Sequence, residues 1–191
     1  MSGNNFKTLD DIGDIASHRV LVRVDLNVPM AVGVVTDDTR LRALIPTVTE
    51  LADKGAKVLL LAHFGRPRGE PTPEFSLEQV VPALARILGR EVSFLPGCAG
   101  QIMAEKTLKL PNGSICVLEN TRFHPGEESN DSGLVEQMAK LGDIYVNDAF
   151  SAAHRAHAST VGLAHALPCY AGRSMERELT ALDKALGNPE H

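Results

Sequence analysis

Basic side chains follow several short apolar runs of this sequence, at positions where strands of a sheet are expected to end. The candidate site residues are Asp25, Asn27, Arg40, His63, Arg66, Arg122 and Arg155. Arginine presents a planar set of donors that matches a phosphate or a carboxylate with two parallel hydrogen bonds. If the strands form one open parallel sheet, the loops at their carboxyl ends meet at one edge. The pattern therefore predicts a site for one small anion, a phosphate or a carboxylate, and the acid among the arginines favours a polyol or hydroxy-acid ligand over bare phosphate.

Five short apolar runs are predicted to form the strands that hold these loops. They lie at residues 19–24, 57–62, 91–95, 114–118 and 143–146. Apolar residues at helical spacing predict helices near 41–51, 77–88, 100–108 and 131–141, with Ser76 as an N-cap and Gly89 as a stop. Pro46 either kinks the first helix or marks its true start. This alternation predicts a three-layer α/β domain with a mainly parallel sheet.

The end of the sequence has a different character. The spacing of Met175, Leu179, Leu182 and Leu186 predicts a helix over 175–186. No further apolar segment follows that could pack on its far end, which favours a helix that leads out of the domain. The alternative is a helix that folds back on its own domain. We therefore divide the chain into a substrate-binding domain, residues 1–173, and an inter-domain connector helix, residues 174–191.

Composition excludes several classes of protein. The 191 residues include 19 Lys and Arg against 24 Asp and Glu, and a net charge of −5 argues against general nucleic-acid binding. The three cysteines are far apart, without a C-x-x-C pair, which argues against a disulfide framework and a zinc site. The sequence shows neither a signal-peptide core nor an apolar run of the ~18–20 residues that span a membrane. We expect a cytoplasmic protein without a membrane or nucleic-acid partner.

Several polar residues allow a structural interpretation. Arg23 lies within an apolar strand and is expected in a buried ion pair, and Glu119 and Asp148 are expected to pair with such arginines. A metal-dependent hydrolase built on His63, His154, His157 and Asp148 is an alternative, although a third clear ligand at suitable spacing is lacking. We expect no metal site in this chain. The sequence also lacks the phosphate-binding, dinucleotide and nucleophile-elbow motifs, so neither a nucleotide site nor a protein nucleophile is predicted.

Six motifs, taken together, resemble the N-terminal domain of the phosphoglycerate kinase family. They are R-V-D-x-N-V-P (23–29), D-D-x-R (37–40), H-x-G-R-P (63–67), E-N-x-R-F-H-x-G-E (119–127), V-N-D-A-F (146–150) and A-H-R-A-H (153–157). They occur in the family's order, over about residues 9–190. The resemblance implies two Rossmann-like lobes joined by a helix. The first lobe holds 3-phosphoglycerate or 1,3-bisphosphoglycerate, and the second, absent from this sequence, holds Mg²⁺ with ADP or ATP.

The resemblance also implies a role for each candidate residue. Asp25 and Asn27 would contact the hydroxyl and carboxylate end of the glycerate. His63, Arg66, Arg122 and Arg155 would form a basic patch, with the arginines on the 3-phosphate. Arg40 would stabilise the transferring phosphoryl group and is the catalytic candidate. Ala62, Phe64, Ser151 and Ala152 depart from the family's commonest pattern, and we expect them to change loop packing without loss of the site.

The implied activity is reversible phosphoryl transfer in glycolysis, between 1,3-bisphosphoglycerate and ADP, giving 3-phosphoglycerate and ATP. The partners of this chain would be the glycerate and the missing nucleotide-binding lobe, and the full enzyme would be a monomer. The chain alone is expected to bind the glycerate without significant turnover. The alternative is a stand-alone module that binds phosphorylated acids without catalysis.

Overall fold

A computed structural model describes the chain from residue 6 to residue 187, with side chains as far as residue 185. It contains a six-stranded, fully parallel sheet and a separate two-stranded hairpin. The strands are β1 (Arg19–Arg23), β2 (Met30–Ala31), β3 (Val34–Val35), β4 (Lys57–Leu61), β5 (Val92–Leu95), β6 (Ile115–Leu118), β7 (Ile144–Asn147) and β8 (Cys169–Ala171). The order across the large sheet is β5-β6-β4-β1-β7-β8. The α/β fold with a parallel sheet is confirmed.

Central strand β4 shows why this sheet carries near-continuous apolar runs. Val58 and Leu60 contribute to one hydrophobic cluster, while Leu59 and Leu61 contribute to a second. All four side chains are fully buried. Successive side chains of a strand point to opposite faces of its sheet. Both faces are therefore covered, as in other parallel sheets, and the domain has the predicted three layers.

Seven α-helices surround the sheet in the described part of the chain. They are α1 (Thr39–Ala43), α2 (Ile45–Asp53), α3 (Val81–Leu88), α4 (Gln101–Leu108), α5 (Ser132–Ala139), α6 (Leu163–Ala166) and α7 (Arg173–Gly187). The helix predicted over 41–51 is in fact two helices, because Pro46 lies in the first turn of α2. Proline has no N–H to donate and would clash with the preceding turn of a continuous helix. Ser76 caps a 3₁₀ turn that leads into α3, and Gly89 ends α3 in the left-handed conformation.

Two small β elements were not predicted. Strand β8 has three residues and pairs with β7 at the edge of the sheet. The hairpin β2–β3 turns through Val32 and Gly33, which both have positive φ. Neither segment is long enough to show a clear period of alternation, so the apolar pattern alone does not identify them.

Helix α7 is anchored at its start and exposed further along. Met175 is buried, whereas Leu182 is 44% exposed. The Arg173 side chain donates to Glu50 of α2 at 2.8 Å and to Asp10 at 2.6 Å. The first turns of α7 therefore fold back on the domain, and the exposed turns extend beyond that contact. The Leu186 part of the predicted stripe lies outside the described side chains. Between residues 6 and 187, no helix is long and apolar enough to span a membrane.

Candidate anion-binding site

Hydrogen bonds join four loops at the carboxyl edge of the parallel sheet. The Asn27 side-chain oxygen accepts from the Gly65 N–H at 3.0 Å, which links the loops after β1 and β4. The Arg122 guanidinium donates to the Gly65 carbonyl at 2.8 Å, which adds the loop after β6. The Ser151 hydroxyl donates to Asp25 at 2.8 Å, which adds the loop after β7. The predicted convergence of these loops is thus present in the structure.

Arg40 reaches this edge from α1. Its guanidinium lies 3.2 Å from Asp25 Oδ2 and donates to the Asn27 carbonyl at 2.8 Å. About half of its side chain, 51%, remains exposed. Asp25 also accepts from the Asn27 N–H at 3.0 Å. Arg40, Asp25 and Asn27 therefore form one hydrogen-bonded group with a guanidinium face open to solvent.

A second group consists of Arg66, Arg122 and Arg155, which we call the arginine cluster. Burial lowers the pKa of Arg122, with Glu128 opposing, and the charges of Arg155 and Arg66 lower it further. The side chain of Arg122 is only 7% exposed, and its acidic partner is Glu128 at 3.3 Å. Within residues 6–185, neither Arg66 nor Arg155 has an ion-pair partner. Positive charge is therefore left available for an anion.

His63 belongs to this edge but is not cationic. Burial, reinforced by the charges of Arg23 and Arg122, lowers its pKa to about 3. Its Nδ1 lies 2.8 Å from an Arg23 nitrogen. A guanidinium can only donate, so Nδ1 must accept, and the ring proton of the neutral imidazole is on Nε2. His63 is thus a neutral donor, and the positive charge of the predicted basic patch comes from its arginines.

The expected ion pair of Arg23 is not found. The Arg23 guanidinium is buried and donates to the Ser159 hydroxyl, to the Val24 carbonyl and to His63. The nearest acid in this network is Glu127, which lies on the other side of Ser159. Neutral polar groups therefore accept from Arg23. The carboxylate of Glu127, which is separated from Arg23 by the Ser159 hydroxyl, balances the charge of Arg23.

Glu119 and Asp148 do not pair with arginines, so that prediction was wrong. Glu119 accepts from the Ser76 hydroxyl at 2.8 Å and from the Leu77 N–H at 2.9 Å. Asp148 accepts from the N–H groups of Ser174 and Met175, at the start of α7. The first N–H groups of a helix have no partner within the helix, and a carboxylate satisfies them. Burial nevertheless raises the pKa of Asp148 to about 6.

Asn120 is a site residue that sequence reasoning missed. Its fully buried side chain donates to the carbonyls of Phe64 at 2.7 Å and Phe75 at 2.9 Å. It accepts from the N–H groups of Phe64 at 3.2 Å and Arg122 at 3.1 Å. Asn120 therefore fixes the backbone beside both His63 and Arg122. An amide two residues after a buried strand and two residues before a basic side chain was the available signal.

A metal-dependent hydrolase is not supported by this geometry. Arg23 occupies Nδ1 of His63, and Asp148 is used at the start of α7. Among the residues from 6 to 185, no group of three or more His, Cys, Asp and Glu side chains could hold a metal ion. The ligand set that the alternative requires is therefore not gathered in the described part of the chain.

A cavity of about 280 Å³ separates the Arg40 group from α7. Asp25, Arg40 and Ser151 line one side, and Ser174 and Glu178 of α7 line the other. The structure thus defines a parallel α/β domain whose carboxyl edge carries the arginine side chains and faces α7 across this cavity.

Comparison with known proteins agrees with the resemblance in the motifs. The phosphoglycerate kinase family model matches residues 9–191. The chain belongs to the phosphoglycerate kinase family. It is 65% identical to a phosphoglycerate kinase of Rhizorhabdus wittichii over 97% of this chain and 47% of that relative. It is 63% identical to one of Zymomonas mobilis, with the same coverage of 97% and 47%.

Solved structures show the same fold. The phosphoglycerate kinase of Pyrococcus horikoshii superposes with a TM-score of 0.87 at 33% identity, covering 97% of this chain and 47% of that one. The phosphoglycerate kinase of Coxiella burnetii gives 0.86 at 37% identity, covering 97% and 46%. The chain therefore spans about half the length of the curated relatives and solved structures that it matches.

Replacement of Asn120 tests how the loops are fixed. Asn120→Asp removes both donors and directs a buried carboxylate at two carbonyls, so we expect a loss of about 3–5 kcal/mol in the free energy of unfolding. Asn112→Asp is the matched control, because exposed Asn112 makes one side-chain hydrogen bond, to Ser17. The control should change stability by less than about 0.5 kcal/mol. Urea unfolding at neutral pH measures both, and equal stability of the two variants would contradict the role of Asn120.

The neutral state of His63 predicts a pH dependence of stability. Its pKa in the folded protein, about 3, lies below the 6.5 of an unperturbed histidine, so the unfolded chain binds the proton first as pH falls. As the pH falls from roughly 6 to 4, His63 should therefore lower the free energy of unfolding by about 1.4 kcal/mol per pH unit.

The measurement is urea unfolding of the native protein, His63→Gln and His165→Gln over that pH range. The slope of stability against pH should become shallower in His63→Gln. Exposed His165 serves as the control, and its replacement should leave the slope unchanged. An unchanged slope in His63→Gln would show that His63 binds its proton equally well in the folded and unfolded states, which contradicts a lowered pKa in the folded protein.

Proposed function

We propose that this chain supplies the glycerate-binding half of a phosphoglycerate kinase. The activity would be reversible phosphoryl transfer in glycolysis, between 1,3-bisphosphoglycerate and ADP, giving 3-phosphoglycerate and ATP. Family membership supports the reaction. The assignment of the site rests on the arginine cluster, which lies next to the Arg40 group. Two members of the cluster, Arg66 and Arg155, have no acidic partner in the described residues.

The arginine cluster is proposed to bind the 3-phosphate. Arg66 and Arg155 are exposed, and the Gly65 carbonyl orients Arg122, whose pKa is lowered by the charges of both. Each charge-assisted hydrogen bond contributes ~1.5–3 kcal/mol net. Three such contacts, less the cost of ordering the ligand and the side chains, are consistent with binding in the micromolar-to-millimolar range.

The remaining candidates are proposed to hold the other end of the glycerate. Asp25 can accept from a ligand hydroxyl, because a carboxylate has more acceptor sites than its present partners use. Asn27 and the neutral His63 can donate to the ligand carboxylate. Asp25 and the neutral donors Asn27 and His63 would therefore lie at the hydroxyl and carboxylate end of the glycerate. The positive charge of the arginine cluster would lie at its phosphate.

Arg40 is proposed to act on the group that is transferred. In the direction of 1,3-bisphosphoglycerate synthesis, the glycerate carboxylate attacks the terminal phosphorus of ATP. A bond forms between that carboxylate oxygen and phosphorus, and the bond to the bridging oxygen of ADP breaks. The substrate is the nucleophile, so no protein nucleophile is required. The exposed guanidinium of Arg40 can neutralise the equatorial oxygens in the transition state.

The other half of the reaction is assigned to sequence beyond this match. Mg²⁺ with ATP or ADP would bind in the part of the relatives that this chain does not cover. Residues 174–191, which include all of α7 except its first residue, would connect that part to the domain formed by residues 1–173. We further propose a cytoplasmic, monomeric full-length enzyme without nucleic-acid or membrane partners. The 1–191 chain alone would bind the glycerate with negligible turnover.

Titration of this chain with 3-phosphoglycerate tests the site. Amide resonances near Arg66, Arg122 and Arg155 should shift and saturate at millimolar ligand. Arg66→Ala should weaken binding by about tenfold or more, because it removes one charge-assisted contact from an exposed position. The control is Arg90→Ala, which breaks the ion pair with Asp53 and lies before β5, at the opposite edge of the sheet. Absence of shifts in the native chain, or equal affinities of the two variants, would refute the assignment.

The role of Arg40 is tested by kinetics of a full-length phosphoglycerate kinase that begins with this sequence. Arg40→Ala should lower kcat much more than the affinity for glycerate, because the proposed contact strengthens in the transition state. Arg42→Ala is the control, since Arg42 lies on the same helix and pairs with Asp38. Equal losses in kcat and in glycerate affinity would assign Arg40 to ground-state binding instead.

A further inference from the structure

Behind His63 lies a buried chain of polar groups that none of the proposed ligand contacts uses. Glu127, Ser159 and Arg23 are 0%, 0% and 1% exposed. The Ser159 hydroxyl lies 2.5 Å from Glu127 and 3.0 Å from Arg23, and Arg23 lies 2.8 Å from His63 Nδ1. Burying a charge is costly unless it is paired and hydrogen-bonded. A buried acid and a buried arginine therefore call for an explanation.

The direction of each hydrogen bond in this chain is fixed by chemistry. A carboxylate can only accept and a guanidinium can only donate, whereas a hydroxyl can do both. Ser159 must therefore donate to Glu127 and accept from Arg23. Arg23 must then donate to Nδ1 of His63. The order Glu127, Ser159, Arg23, His63 has one consistent set of proton positions, and it leaves the proton of the neutral imidazole on Nε2.

Backbone hydrogen bonds fix the position of Ser159 between Glu127 and Arg23. Its N–H donates to Glu127 at 3.0 Å, and its carbonyl accepts from the buried Tyr145 hydroxyl at 2.9 Å. It lies in a π-helical turn, Ala158–Gly162, and the Ala158 N–H donates to the Glu127 carbonyl at 2.9 Å. Turns of this kind are rare and often occur at functional sites. The turn thus fixes Ser159 between an acid and an arginine.

We propose that Glu127, Ser159 and Arg23 are positioning residues that hold His63 as the Nε2–H tautomer, so that this N–H is presented to the bound glycerate. This inference rests on the function proposed above and adds to it three residues that do not need to contact the ligand. Arg23 acts through its hydrogen bond to the imidazole. Ser159 and Glu127 act by fixing the guanidinium. Without this support, the ring can adopt either tautomer and rotate.

The tautomer of His63 can be measured without any ligand. Long-range proton–nitrogen correlation spectra of the 1–191 chain should show an unprotonated Nδ1 and a protonated Nε2 at neutral pH. In Ser159→Ala, the two nitrogens should move towards averaged values, because Arg23 loses its acceptor. Ser93→Ala is the control, since the Ser93 hydroxyl donates to the Ile115 carbonyl, on the strand pair β5–β6 at the other side of the sheet. A native His63 with a proton on Nδ1, or with both nitrogens protonated, would overturn the proposal.

The functional consequence is measured by titration with 3-phosphoglycerate. Ser159→Ala should bind about tenfold more weakly than the native chain, and Ser93→Ala should bind equally well. Arg66→Ala should lose affinity but keep the native tautomer, which separates loss of charge from loss of positioning. Should Ser159→Ala fail to fold, Glu127→Gln carries the same two expectations, because its amide N–H₂ would face the Ser159 N–H and displace Ser159 from Arg23.

The two proposals fail in different ways. A native chain that shows the predicted tautomer but does not bind 3-phosphoglycerate would refute the proposed function. A native chain that binds, with Ser159→Ala unchanged in both tautomer and affinity, would refute the positioning role alone. Loss of affinity in Ser159→Ala with a native tautomer would also refute the positioning role, because a structural effect unrelated to the tautomer would then explain the loss.

Discussion

The site depends on holding several guanidinium groups close together without cancelling their charge. Backbone carbonyls solve this problem. Arg23 donates to the Val24 carbonyl, Arg40 to that of Asn27, and Arg122 to that of Gly65. A carbonyl satisfies a donor but carries no net charge, so each side chain is oriented while its positive field remains. Carboxylates are used sparingly. Asp25 orients Arg40, Glu128 lies at the exposed side of Arg122, and Glu127 is separated from Arg23 by a hydroxyl.

The parallel sheet makes this arrangement possible. Four strands deliver their loops to one edge, and the carbonyls that accept from the arginines belong to the loops after β1 and β4, at the centre of the sheet. Asn120 then joins the β6 loop to the segment after β4 through three hydrogen bonds, two to Phe64 and one to Phe75. The arginines are therefore positioned by one connected backbone framework, whose stability comes from the two apolar clusters beneath it.

The sequence was informative wherever a feature depends on long patterns or on residue type. The apolar runs at 19–24 and 57–62 identified β1 and β4 to within one residue, and the candidate basic residues do reach one edge. Features that depend on burial or on backbone donors could not be seen. Glu119 and Asp148 accept from N–H groups at helix starts that lie 26 or more residues away in the sequence, and no sequence pattern links such distant groups. The neutral state of His63 follows from burial and from Arg23, and neither effect is visible before the fold is known.

Support by main-chain carbonyls has a consequence for how the site responds to acidity. Amide carbonyls do not ionise, arginine stays protonated in proteins, and the imidazole at this edge is already uncharged. The arginines and the His63 imidazole should therefore keep their charge state through mild acidification, whereas Asp148, which lines the cavity beside the Arg40 group, has a pKa of about 6. A phosphate monoester, by contrast, gains its second negative charge near pH 6. Any change in recognition across that interval would then report the ionisation of the phosphate or of Asp148, and not that of the arginines or of His63.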